Sequence, residues 1–218
     1  MTESDEDSEL KALMEKLSNH PMVLAAGPER SLPLTVAATA GADDILEFLL
    51  DHGLVPNERN EDGTTALSRV TSLVSCKLLT DAGARVSAER PEDGMTSLHY
   101  TAMMDCSEVV RHLLSVDGKL FLSVPDKMGY SPLHYAASEG NNKVAEILLD
   151  SGADPNLAGR AGGKTPTQRA ISPYLLTTLK LLLNRGGRLS SSDVRYALQT
   201  YGPEFAQEVK RLIEEESR

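Results

Sequence analysis

The apolar positions of this chain recur in short blocks separated by turns rich in Gly, Asp and Asn. Ser131-Pro132-Leu133-His134-Tyr135-Ala136-Ala137 opens one segment, which runs to Ile147-Leu148-Leu149 and closes with Ser151-Gly152-Ala153-Asp154-Pro155-Asn156. A second copy begins Thr96-Ser97-Leu98-His99-Tyr100-Thr101-Ala102 and passes through Val109-Val110 and His112-Leu113-Leu114 to Gly118. A third begins Leu32-Pro33-Leu34-Thr35-Val36-Ala37-Ala38 and reaches Phe48-Leu49-Leu50, Gly53 and Pro56-Asn57. Fainter copies open at Thr65-Ala66-Leu67-Ser68 and Thr165-Pro166-Thr167-Gln168. The position after the Pro or its substitute falls at Leu34, Leu67, Leu98, Leu133 and Thr167, with offsets of 33, 31, 35 and 34. A fixed period of this length marks a stack of repeats.

Each block predicts two helices. Thr or Ser before the Pro caps the first, and Pro at a first helical position forgoes no useful donor. Small Ala side chains let neighbouring helices approach closely. In the second helix Val144, Ile147 and Leu148 share one face, as do Ile45, Phe48 and Leu49. Gly53, Gly152 and Gly186 stop that helix, because Gly accepts the left-handed conformation past a helix end. The joins Asn60-Glu61-Asp62-Gly63, Glu92-Asp93-Gly94 and Asp126-Lys127-Met128-Gly129 read as tight turns. Leu67 to Gly83 is three residues shorter than Leu133 to Gly152, and the third unit is one residue longer before Gly118; both predict local irregularity.

These residues resemble the ankyrin repeat, with its period of about 33 and its Thr-Pro-Leu-His-x-Ala opening. The resemblance implies an all-α solenoid of stacked helix-turn-helix units with β-turn or hairpin joins. Residues 29–189 divide into five units, 29–61, 62–93, 94–128, 129–162 and 163–189. Residues 1–8 are expected to be an acidic disordered tail and residues 9–28 a capping region, with an amphipathic helix over Ser8 to Leu17. Residues 190–218 are expected to form capping helices split at Gly202-Pro203, as a solenoid end needs a polar outer face.

Composition narrows the function. The 218 residues carry 22 Lys and Arg against 32 Asp and Glu, a net charge of −10. That balance disfavours nucleic acid, whose binding depends on phosphate neutralisation, and disfavours anionic membrane. It permits a partner with a basic or apolar segment. No apolar run approaches the roughly 20 residues of a membrane span, and Met1 to Glu9 lacks the features of a secretory signal. Two cysteines, Cys76 and Cys106, make neither a disulfide framework nor a metal spacing, so a cytoplasmic or nuclear location is expected.

No motif carries catalysis or a cofactor. Gly162-Gly163-Lys164-Thr165 keeps only the tail of a phosphate-binding loop, with neither its first Gly nor a preceding strand. His99 and His134 occupy the His slot of the repeat opening, where the resemblance implies a hydrogen bond to the turn of a neighbouring unit. Cys76 and Cys106 read as small hydrophobes on helices. Leu148 with Asp154-Pro155-Asn156 is similar to the context in which ankyrin-family asparagines are hydroxylated, with Pro155 where that pattern has Val; Asn156 alternatively only makes the turn. Ser4, before Asp5-Glu6-Asp7, resembles an acidophilic kinase site.

By the resemblance, a partner meets the turn tips and the exposed face of the first helices. That places Glu61, Asp62 and Thr64 on the first join, and Glu92, Asp93 and Met95 on the second. Lys127, Met128 and Tyr130 fall on the third, and Ala161, Gly162 and Lys164 on the fourth. Met103, Met104, Ser138 and Glu139 follow the Ala positions. Four of the seven methionines thus map to one patch rimmed by Glu92, Asp93 and Glu139, and Met suits adaptable protein surfaces. Met103 or Met104 turning inward between layers is the competing placement.

The expected function is a non-catalytic protein-binding module, an adaptor, scaffold or inhibitor, monomeric when free and without cofactor. The alternative is a regulatory or substrate-recognition subunit of an enzyme complex such as a ubiquitin ligase. Repeats fill about 160 of the 218 residues, which leaves flanks too short for an independent catalytic core.

Overall fold

A computed structural model describes residues 33–116 and 121–216. The expected tail, the helix over Ser8 to Leu17, Ser4 and residues 117–120, which include Gly118, lie outside the described residues. The chain divides into two compact units, Met1–Ser97 and Leu98–Arg218. Among the described residues there are eleven α-helices and no β-strand, the all-α architecture that the sequence pattern predicts.

In the first unit α1 (Pro33–Ala40) and α2 (Asp43–Asp51) form a helix pair. A 3-10 turn, Ala66–Arg69, and α3 (Leu73–Asp81) form the next. α1 packs on α2 and on the 3-10 turn, and α2 packs on α3. The second unit holds the body of α4 (Ser97–Met103), then α5 (Ser107–Val116), α6 (Pro132–Glu139), α7 (Asn142–Asp150), α8 (Pro166–Arg169) and α9 (Leu176–Asn184). Two longer helices, α10 (Ser191–Tyr201) and α11 (Pro203–Glu216), follow, separated at Gly202. First helices stack on each other, α6 on α8, and second helices form their own row, α5 on α7 on α9 on α11.

Local chemistry explains each opening. Ser131 is extended at the N-cap of α6, and its N–H donates to His134 Nδ1 at 2.9 Å, closing a capping box. Thr165 and Gln168 close the same box on α8, with bonds of 3.0 and 3.1 Å. These side chains satisfy N–H groups that the helix itself leaves open. The recurrent apolar mark then goes inward: Leu67, Leu98 and Leu133 are at most 1 % exposed. Burying one such side chain stabilises the fold by roughly 1.5–3 kcal/mol. Ala37, Ala38, Ala102, Ala136 and Ala137 are fully buried, which is why small residues recur there.

Three details sharpen or correct the sequence reading. The short second repeat is irregular, its first helix reduced to the 3-10 turn. The fifth is compact too, with a four-residue α8 and a 3-10 turn, Pro173–Leu175, before α9. In α2 the buried pair is Ile45 and Leu46, whereas Phe48 and Leu49 are only half-buried. The equivalent residues of α7 are all buried because α7 lies between α5 and α9, while α3 is the only second helix described beside α2.

Candidate partner-binding surface

The joins are held by a side-chain oxygen that gathers the N–H groups of the turn. Asn60 Oδ1 accepts from Thr64 N–H at 2.8 Å and Thr64 Oγ1–H at 2.6 Å. Asp93 Oδ1 accepts from Met95 N–H at 3.0 Å. Asp126 Oδ1 accepts from Met128 N–H at 2.9 Å and Tyr130 N–H at 2.8 Å, and its Oδ2 accepts from Tyr135 Oη–H at 2.5 Å. Asp126 is 5 % exposed and is satisfied by donors alone. Gly129 completes its turn at φ +80°, and a Cβ there would meet Arg160 N at 2.3 Å. That close approach lets Arg160 N–H donate to Met128 O at 2.9 Å, tying one join to the next.

The expected contact residues separate into three groups. Glu61, Asp62, Glu92, Lys127, Met128, Glu139, Ala161, Gly162 and Lys164 are exposed. Met103, Tyr130 and Ser138 are half-buried; so is Asp93, bound to the Arg90 guanidinium. Burial raises the Asp93 carboxyl, but the Arg90 hydrogen bond, Met95 N–H and the Arg90 charge outweigh it and hold it below the usual range. Thr64 and Met95 are buried, at 2 % and 5 % exposure. Met95 therefore leaves the expected exposed patch: its side chain tucks beside the ion pair, with Sδ 3.1 Å from an Arg90 guanidinium nitrogen. Of the methionines after the Ala positions, Met104 is 49 % exposed and Met103 half-buried, and Met128 on the third join is 62 % exposed.

A slot that the sequence reading passed over carries most of the specific chemistry. The residue two after each repeat mark is Val36, Arg69, Tyr100, Tyr135 or Arg169, and each is half-buried beside buried neighbours. In the second unit the Arg169 guanidinium lies over the Tyr130 ring at 4.5 Å and 6.0 Å from the Tyr135 ring centre. Tyr130 meets Tyr135 edge-on at 6.4 Å and tilts against His134 at 5.0 Å. Farther along, Lys164 sits 4.2 Å above the Tyr196 ring, and its hydrogen bond and charge lower the Tyr196 phenol. The signal was present in the repeat register, as one column holding Val, Arg, Tyr, Tyr and Arg in turn.

The remaining candidates have structural partners. His99 Nε2 donates to Tyr130 O at 3.0 Å, a bond to the next join as the resemblance implies. His134 accepts at Nδ1, which puts the neutral ring's proton on Nε2. Burial and then Arg169 push its pKa down to about 4, against a smaller opposing pull from backbone at Lys164 and Leu157. Among the described residues Nε2 itself closes no hydrogen bond of ordinary geometry. Burial lifts the Cys76 thiol to about 12, and burial, then Asp105, raises Cys106. Asn156 makes its turn through its own N–H to Asp154 Oδ1 at 2.8 Å. Its amide reaches the following turn, donating to Gly186 O at 2.8 Å and accepting from Arg188 N–H at 2.7 Å. Among the described residues no group of three or more His, Cys, Asp or Glu could hold a metal ion, and no helix is long and apolar enough to cross a membrane.

Stacked helix pairs, capping boxes at the repeat openings and joins tied by Asx side chains define a repeat protein of the interaction type. Residues 70–159 match the family model for ankyrin repeats in three copies. The chain is 37 % identical over 155 residues, 68 % of its length, to a transient receptor potential cation channel subfamily A member 1 homolog of Caenorhabditis elegans. It is 34 % identical over 130 residues, 57 % of its length, to the nuclear factor NF-kappa-B p105 subunit of Gallus gallus. A putative E3 ubiquitin-protein ligase, XBAT31 of Arabidopsis thaliana, is 29 % identical over 138 residues, 57 % of the chain. The matched region spans 13 % of each of the first two relatives and 30 % of the third. The chain belongs to the ankyrin-repeat family, whose repeats form protein-interaction modules.

Proposed function

We propose that this chain is a non-catalytic module that holds a partner protein by its turn tips and first-helix face, as an adaptor, scaffold or inhibitor. The observation that carries this reading is the Arg169–Tyr130–Tyr135 group in the second unit, whose Tyr130 shares its join with exposed Met128. Arg169 has no carboxylate partner among the described residues. Tyr, Arg and Met are the residue types enriched in interface cores, and Tyr and Arg in energetic hot spots. Glu139 and the exposed turn carboxylates suit a partner segment that is apolar with basic flanks. Nucleic acid and membrane are not partners in this reading, and the free chain is a monomer of the cytoplasm or nucleus.

Recognition is largely rigid, because stacked repeats present a preformed surface and limit the ordering cost of binding. The test is affinity capture from extract with the native chain and with Met104→Asp/Met128→Asp. Both methionines are exposed, so the thermal midpoint should stay nearly unchanged while a partner held by this face is lost. Equal capture by both chains sinks the assignment of the face, and absence of any partner sinks the module reading. A substrate-recognition role in a ubiquitin ligase is the second reading, favoured by the similarity to the putative ligase. Capture of ligase components together with the partner would select it.

A further inference from the structure

Repeat 2 is short, and a hollow lies where its missing helical turn would pack against α1. The opening segment ends as a 3-10 turn at Arg69, and Val70 leaves in an extended conformation. Thr35, Val36, Thr39 and Ala40 of α1, with Asn60, Asp62 and Arg69, line about 200 Å³. Two polar groups there have no hydrogen-bond partner among the described residues: Thr35 Oγ1, on a side chain 5 % exposed, and the buried Arg69 Nε. A buried donor left without an acceptor destabilises the free protein, and a ligand that supplies one recovers that loss. The Arg69 guanidinium also has no carboxylate partner among the described residues, whereas Arg90 and Arg185 each hold one.

We propose that this hollow receives an acidic side chain, Glu or Asp, from the partner protein. On entry the Arg69 side chain swings into the hollow, so that the carboxylate accepts from its guanidinium N–H groups, and the methylene stem lies against Val36 and Ala40. A charged acceptor on a guanidinium makes a stronger bond than a neutral amide would. Exposed Asp62 at the rim opposes the incoming charge and selects for a basic residue beside the acidic one. The inference rests on the reading that the chain holds a partner, and it assigns that partner's chemistry in the first unit.

The probes are three pools of short degenerate peptides with Glu, Gln or phosphoserine fixed at the centre, titrated onto the full chain. The Arg69 Nε–H signal is followed by NMR, and retention is measured on immobilised protein. The Glu pool should move the Arg69 signal and be retained about tenfold better than the Gln pool, a factor typical of one charge-assisted bond. Arg69→Gln should abolish that preference and Asp62→Asn should increase it. An unmoved Arg69 signal, equal retention of Glu and Gln, or preference for phosphoserine would overturn the proposal. The NMR measurement uses the unaltered chain, so a folding defect in Arg69→Gln cannot decide the outcome. Failure here with partner capture intact removes the hollow alone; loss of capture removes the module reading.

Discussion

Repeats 2 and 4 open with the same chemistry and end differently. Thr65 and Ser68 pair through Oγ atoms at 2.8 Å, as Ser131 and His134 pair at 2.9 Å, and in each the N-cap N–H is bonded by the third residue on. In repeat 4 the helix continues over eight residues and closes at Gly140 with φ +78°. In repeat 2 it stops after four, because Ser72 must already cap α3. Ser72 Oγ accepts from Val74 N–H and Ser75 N–H at 3.2 and 3.4 Å, while its own hydrogen goes to Asp43. The β-branched pair Val70-Thr71 does not favour another helical turn. A cap therefore starts a first helix, but the distance to the next cap sets its length.

The largest expected effect separates the two repeats by core packing. Leu67 and Leu133 are both fully buried, yet Leu133 belongs to an eight-residue helix and Leu67 to a four-residue 3-10 turn next to the shortened segment. Leu133→Ala should cost about 4 kcal/mol and Leu67→Ala about 2 kcal/mol, since the cost falls where neighbours can collapse into the space. Urea unfolding of both variants checks this, and equal losses would mean that the short turn packs as tightly as the full helix.

Next in size is a pH effect confined to repeat 4. The slot holds His134 there and Ser68 in repeat 2. Folding lowers the His134 pKa from 6.5 to about 4, so between those values the unfolded chain binds a proton that the folded chain does not. The stability from this site is fully present above pH 6.5 and is lost as pH falls toward 4, by up to about 3 kcal/mol. His134→Gln keeps an acceptor for the cap, as Gln168 does in repeat 5, and should flatten the stability profile in that window. An unchanged profile would show that His134 is protonated in the folded state.

The repeat period, the capping residues and the turn glycines made the fold readable, because each acts within a few residues of itself. The surface was less so. Thr64, Met95, Tyr130 and Lys164 occupy one slot of successive joins, yet the first two are buried, Tyr130 is half-buried and Lys164 exposed. Arg90 decides the case of Met95, by drawing its sulfur under the ion pair with Asp93. The hollow at Arg69 depends on a turn that is missing, which the repeat length indicated only as irregularity. The pairing of Arg169 with Tyr130 joins residues 39 positions apart, which no local pattern encodes.

The smallest expected effect asks whether the short repeat weakens its link to the following turn. Asn57 Nδ2 donates to Gly83 O at 2.8 Å and its Oδ1 accepts from Arg85 N–H at 2.8 Å. Asn156 makes the same two bonds to Gly186 and Arg188, at 2.8 and 2.7 Å. Both side chains are half-buried, so water can replace much of what is lost, and each Asn→Ala change should cost about 1 kcal/mol. Asn→Asp should cost more than Asn→Ala at either site, because a carboxylate oxygen would face the Gly carbonyl that Nδ2 now serves. Urea midpoints of the four variants test this. A clearly smaller loss at Asn57 would mean that the link beside the short repeat is already partly open, and equal losses would confine the irregularity of repeat 2 to its first helix.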